Sequence, residues 1–168
     1  RRGRARRWAV VVVATASLSE VAGRSIATRD IVVVPEVGET ASKTLGMGYS
    51  IACGVGARPD ASGWLVLPGD MPMVRPETLL AVAQALAQHT IAYAEYRGRR
   101  GHPVGFAAEL FSELATLSGD EGARRLLARY PAHAVEVDDP GVLIDIDTAS
   151  DLEGLRSGVV PSAPQAHF

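Results

Sequence analysis

Three short runs of apolar, mostly β-branched residues constrain this chain most: Val10-Val11-Val12-Val13, Ile31-Val32-Val33-Val34 and Trp64-Leu65-Val66-Leu67. None alternates apolar with polar, and each is too short for an ordinary helix. Each therefore predicts a strand buried on both faces, as in a parallel sheet. The strands are expected over 9–14, 31–34 and 64–68, with Pro35 and Pro68 at two of their ends. Between the first two, Ser17 to about Ala27 reads as a short helical connection. Residues 36–46 read as loop, and Gly46-Met47-Gly48-Tyr49-Ser50 leads into a helix reaching about Val55.

The second half repeats the pattern. Pro76 suits a first helical position, and Leu79, Val82, Ala83, Leu86 and Ala87 form one stripe behind it. A strand is expected over 91–96, a basic loop over 97–102 and a short strand over 104–106. Leu110, Phe111, Leu114 and Leu117 make a helical face, broken at Gly119-Asp120, where Asp120 can cap a helix carrying Leu126, Leu127 and Tyr130. Strands are expected at 135–137 and 142–146, and Thr148 with Asp151 has the spacing of a capping box. This alternation implies a mostly parallel sheet with helices on both faces. A chain of 168 residues reads as one domain, with a basic segment at 1–7 and a loose tail at 157–168.

Composition bounds the function. Five arginines fall in the first seven residues, and the remainder is acidic, which argues against a broad nucleic-acid surface. Cys53 is the one cysteine, so an internal disulfide and a cysteine metal cluster are excluded and a cytoplasmic setting is expected. No apolar run is long enough to span a bilayer. The basic start, Val-rich centre and Ala14-Thr15-Ala16 also have the form of a secretory signal, ranked here below a plain buried strand.

Asp70 follows the third strand in Gly69-Asp70-Met71-Pro72, at the strand edge where open α/β sheets bind ligands. A carboxylate there is a hard-oxygen ligand suited to Mg²⁺, while a helix cap is the plain alternative. In Asp145-Ile146-Asp147, a strand would turn both aspartates to one face, inviting a cation. The plain alternative is one capping and one solvated carboxylate. Arg97, Arg99, Arg100 and His102 gather cationic forks suited to phosphate, although a histidine in a Gly/Pro turn is often structural. The glycines before Ser50 place backbone amides where a phosphate or base edge can sit, and a simple turn explains them equally well. His89, His102, His133 and His167 lack zinc-ligand spacing.

In order along the chain, Gly46-Met47-Gly48-Tyr49-Ser50, Gly69-Asp70-Met71-Pro72, Arg100-Gly101-His102-Pro103, Gly119-Asp120-Glu121-Gly122-Ala123-Arg124 and Asp145-Ile146-Asp147-Thr148 resemble the motif series of the MobA-like nucleotidyltransferases. The similarity is closest to the molybdenum cofactor cytidylyltransferase branch and runs from about residue 9 to 156. It implies a three-layer α/β/α, Rossmann-like fold of the glycosyltransferase-A, or nucleotide-diphospho-sugar transferase, type. It implies transfer of a nucleoside monophosphate from CTP, in preference to GTP, to a molybdopterin-type phosphate acceptor, with release of pyrophosphate. Asp70 and Asp147 would be catalytic and hold Mg²⁺; Gly48 and Ser50 would lie near base or ribose; His102 with Arg100 or Arg124 would hold the pterin. A molybdoenzyme is a further expected partner.

The family's opening strand and Leu-Ala-Ala-Gly loop have no counterpart here, so the fold is expected to lack its first strand. Thr148-Ala149 also stands where Thr-Pro is usual. A truncated start, an altered start and lost catalysis each fit the first departure. The competing readings are a catalytically impaired nucleotide- or cofactor-binding protein for molybdoenzyme maturation, and a sugar-phosphate nucleotidyltransferase.

Overall fold

The computed structural model describes residues 8–36, 46–119 and 122–157. The arginine-rich segment, most of the loop at 36–46, the Asp120 cap and the tail from 158 lie outside the described residues. The chain packs as two compact units, Arg1–Pro59 with Ser112–Ala123, and Asp60–Phe111 with Arg124–Phe168.

In the first unit, β1 (Val12–Thr15) and β2 (Ile31–Val34) pair in parallel, from Val12 opposite Ile31 to Thr15 opposite Val34. The first strand is shorter than its apolar run because β2 offers only four residues between a 3-10 turn at Thr28–Asp30 and Pro35. Trp8 and Val10 are consequently exposed. Between the strands, α1 (Ala16–Ala22) ends at Gly23, short of the expected Ala27. Next, α2 (Met47–Gly56) buries Ile51 and Val55, and Ala14 and Val34 form the sheet's buried positions. Arg58 forms an ion pair with Asp30.

The second unit holds β3 (Gly63–Val66), α3 (Pro76–Ala85), β4 (Ile91–Tyr96), β5 (Arg99–Ala107) and β6 (Ala132–Glu136). The strand order is β3-β5-β4-β6. β5 runs antiparallel to both neighbours, and β6 is parallel to β4. Thus β3, β4 and β6 share one direction and β5 alone is reversed. Val82 of α3 packs with Ala92, Ala94, Val142 and Leu143 into a buried cluster. The remaining helices are α4 (Phe111–Ala115), α5 (Gly122–Arg129) and α6 (Ala149–Arg156). The protein has the mixed α/β, Rossmann-like architecture with parallel-rich sheets that strand–helix alternation implies.

Several boundaries need correction. The expected basic loop at 97–102 is a tight β-hairpin: Arg97 and Gly98 both have positive φ, 50° and 73°, and β5 begins at Arg99. Two such residues match the twist of the flanking strands. Arg97 bears a cost there that glycine does not, and its guanidinium rests 5.1 Å from the Tyr96 ring centre. The expected strand at 142–146 is a 3-10 turn, Pro140–Leu143, followed by extended chain. Asp139 caps that turn by accepting from the Gly141 amide at 3.0 Å, and Pro140 fits its start. The third strand stops at Val66, and Leu67 is 38% exposed rather than buried on both faces. The helix expected across 110–117 is a 3-10 turn at Ala108–Leu110 leading into α4. β6 starts at Ala132, three residues early, because its parallel ladder begins opposite Ile91.

The capping box is present. The Asp151 amide donates to Thr148 Oγ1 at 3.1 Å, and the Thr148 amide donates to Asp151 Oδ2 at 2.9 Å. Thr148 Oγ1 also donates to Asp151 Oδ2 at 2.6 Å, and that bond, followed by the one from the Thr148 amide, holds the Asp151 carboxyl below its ordinary range. Among the described residues, no helix is long and apolar enough to cross a membrane.

Gly101 on β5 lies where a Cβ would stand 2.2 Å from the Val142 carbonyl oxygen. Backbone cannot yield as a flexible side chain can. Gly101→Ala is therefore expected to cost about 1–3 kcal/mol, read as a lowered urea midpoint with unchanged slope.

Candidate functional site

The end of β3 carries the chain into a turn, Pro68-Gly69-Asp70-Met71, closed by the Met71 amide donating to the Pro68 carbonyl at 3.3 Å. Met71 is buried and anchors the turn, whereas Asp70 is exposed. Four contacts then tie this segment to the chain approaching α6. Asp139 Oδ2 accepts from Thr78 Oγ1 at 2.6 Å and from the Arg75 amide at 2.9 Å. A Cβ on Gly141 would stand 2.2 Å from the Met73 carbonyl oxygen, so those two backbones touch. The Ile146 amide donates to the Asp70 carbonyl at 2.7 Å. As one segment ascends from 70 to 78 the other descends from 146 to 139, so the two run antiparallel.

This is how residues more than seventy positions apart come together. Asp70 projects from a segment hydrogen-bonded to the residue between Asp145 and Asp147. No strand carries these two aspartates; they follow the extended Ile144 beyond the 3-10 turn. Asp147 is exposed. Asp145 is half-buried, and its Oδ1 is buried without a hydrogen bond among the described residues. A buried acceptor left unsatisfied costs about 1–3 kcal/mol, more when charged.

Among the described residues, no three or more His, Cys, Asp or Glu side chains form a cage for a metal ion. Mg²⁺ and Mn²⁺ do not require one, since one or two carboxylates with water and phosphate oxygens complete a hard-cation shell. Asp70 and Asp147 supply such donors, and the orphaned Asp145 oxygen lies in the same segment. The donor chemistry fits a divalent cation.

His102, on β5 before the cis Pro103, is half-buried. Burial pushes its imidazole below the ordinary value of 6.5; a hydrogen bond with the Val66 backbone and the negative charge of Asp70 pull the other way. The coupling to Asp70 places these two predicted residues in one neighbourhood. Arg100, two residues earlier, is half-buried, with its guanidinium 4.2 Å from the centre of the Tyr93 ring. Stacking fixes a cation at little entropic cost. Sequence reasoning did not single out Tyr93, whose partner is set by the β4–β5 register.

The other predicted residues belong to α2 and α5. Gly48 and Ser50 belong to the first unit, in the first turn of α2. The Gly48 amide donates to the Gly119 carbonyl at 2.9 Å, and a Cβ there would stand 2.7 Å from that oxygen. Close backbone packing is thus sufficient reason for this glycine. Ser50 is half-buried, and its amide donates to the Gly46 carbonyl at 3.2 Å. Arg124 is exposed on α5 and makes no hydrogen bond or ion pair among the described residues. Asp139, only 2% exposed, is a further residue that sequence reasoning missed. Its Asp-Pro-Gly setting signals a turn, and nothing local signals Thr78 or Arg75.

Because the folded state lowers the His102 pKa, the unfolded chain binds the extra proton first. Stability should therefore fall as pH drops from the ordinary histidine range toward the folded value. His102→Gln should flatten that part of a pH series of urea melts.

The sequence model described as "MobA-like NTP transferase domain" matches residues 3–135. Purine catabolism protein PucB of Bacillus subtilis (strain 168) is 36% identical over 116 residues, covering 66% of this chain and 56% of PucB. The chain thus spans a little over half the length of that curated relative. The crystal structure of Rv0371c from Mycobacterium tuberculosis H37Rv superposes with a TM-score of 0.70 at 28% identity, covering 88% of this chain and 75% of that one. Rv0371c in complex with manganese superposes with a TM-score of 0.66 at 28% identity, covering 89% and 77%. A family match over most of the chain, and a fold shared with these structures, make this protein a member of the MobA-like NTP transferase domain family.

Proposed function

We propose that this protein, as one domain over residues 1–168, is a divalent-metal-dependent nucleotidyltransferase. It moves CMP, or GMP, from the nucleoside triphosphate to a molybdopterin-type phosphate acceptor and releases pyrophosphate. The observation that carries the reading is the 2.7 Å hydrogen bond from the Ile146 amide to the Asp70 carbonyl. It joins the segments bearing the two candidate carboxylates. Family membership supports nucleotidyl transfer, and the manganese complex of Rv0371c supports a divalent cation. Mg²⁺ is the ion assigned here, and a cytoplasmic setting belongs to the same proposal.

In this reaction an acceptor phosphate oxygen bonds to the α-phosphorus of the triphosphate, and the bond from that phosphorus to the bridging β-phosphate oxygen breaks. Catalysis of this kind is positioning and charge neutralisation. Asp70 and Asp147 would hold the cation, which would offset phosphate charge. Arg100, aligned by Tyr93, offers a preorganised guanidinium to an anionic acceptor. His102, neutral at physiological pH through burial, offers a hydrogen bond without adding charge. Gly48 and Ser50 contact base or ribose, and Arg124 assists at the acceptor. A molybdoenzyme receives the product.

The competing reading is a catalytically impaired nucleotide- or cofactor-binding protein for molybdoenzyme maturation. Pyrophosphate release from CTP and from GTP, each with molybdopterin, separates the two. Turnover is expected, and Asp70→Asn should reduce it about 100-fold or more, since loss of even an outer-shell partner costs 10–100-fold. Cofactor binding without turnover by the same chain would support the competing reading.

A further inference from the structure

We infer that Asp139 is a positioning residue for the cation site: its buried carboxylate clamps segment 70–78 to segment 139–147 and so sets the spacing of Asp70 and Asp147. This rests on the reading that those two carboxylates hold a divalent cation.

Capping alone accounts for only part of what Asp139 does. Oδ1 accepts from the Gly141 amide at 3.0 Å, which satisfies the local 3-10 turn. Oδ2 is committed elsewhere, to Thr78 Oγ1 at 2.6 Å and the Arg75 amide at 2.9 Å, across 61 and 64 positions of sequence. Arg75 adds its guanidinium, with Nε 3.9 Å from Oδ1 and Nη1 donating to the Asp138 carbonyl at 3.0 Å. Of the hydrogen bonds, that to Oδ1 comes from its own turn and those to Oδ2 come from the distant segment. Asparagine offers one acceptor oxygen, so it can satisfy the turn or the distant segment, not both.

The clamp works at one end of the antiparallel run, and the Ile146–Asp70 hydrogen bond closes the other. Between them, Gly141 lies against the Met73 carbonyl with no room for a side chain. Asp70 and Asp147 are themselves exposed and are not held by packing. Their separation is inherited from backbone that the clamp immobilises. Loosening the clamp lets the segments slide, and the cation loses its paired donors even though neither donor is altered.

The test is Mn²⁺ affinity of the full chain, followed by electron paramagnetic resonance of free Mn²⁺, with urea melts and circular dichroism on the same samples. Asp139→Asn should weaken Mn²⁺ binding about 10-fold or more under conditions where the protein is folded, in the range of outer-shell effects. Thr78→Val removes one arm of the clamp while keeping the side-chain shape. It should shift affinity in the same direction, and it carries the test if Asp139→Asn fails to fold. Asp30→Ala, which breaks the Arg58 ion pair in the first unit, should lower stability and leave Mn²⁺ affinity unchanged. If Asp70→Asn abolishes binding while Asp139→Asn and Thr78→Val bind as the parent does, the clamp proposal is overturned. If Asp70→Asn binds Mn²⁺ like the parent, the cation reading falls, and the clamp's purpose falls with it.

Discussion

A single buried carboxylate, that of Asp139, holds two distant stretches of this chain in register. An ionised group in an apolar interior is tolerated only when its oxygens are saturated with donors. Asp139 meets that condition with one hydroxyl and two backbone amides, and the arrangement has a geometric consequence. The donors come from both segments, so the carboxylate can be satisfied only when the segments are correctly aligned. Solvation energy is thereby converted into alignment.

The sheet of the second unit supplies the rest of the frame. Reversal of β5 between β3 and β4 lays His102 and Arg100 along a strand next to β3, whose chain runs on into the turn bearing Asp70. A loop carrying the same residues would scatter them. On the strand, His102 senses both the Val66 backbone and the Asp70 charge, and Arg100 lies on the Tyr93 ring. Sites on strands are more exact than sites on loops because neighbouring hydrogen bonds fix the backbone. The tight turn at Arg97-Gly98 makes this possible, with Gly98 providing the positive φ that costs other residues energy.

Glycine serves closeness more than flexibility at three positions. Gly48, Gly101 and Gly141 each face a backbone carbonyl oxygen that a Cβ would approach to between 2.2 and 2.7 Å. Two of the three contacts, at Gly101 and Gly141, bring the 3-10 turn against β5 and against Met73. In sequence these glycines resemble loop punctuation or a phosphate cradle. Their partners, at Gly119, Val142 and Met73, are remote, so no local pattern distinguishes one role from the other.

Much of the architecture was written locally. Ile31–Val34 and Ile91–Tyr96 form strands over the residues their composition predicts, Pro76 opens its helix, and Thr148 with Asp151 builds the capping box. Propensity, proline geometry and capping each act within a few residues, so sequence alone determined them. Strand ends, the reversal of β5, the 3-10 turn in place of a strand at 142–146 and the clamp at Asp139 were decided only in the tertiary structure. Each depends on which backbone groups lie opposite, and that is fixed when segments more than sixty residues apart satisfy one another's hydrogen bonds.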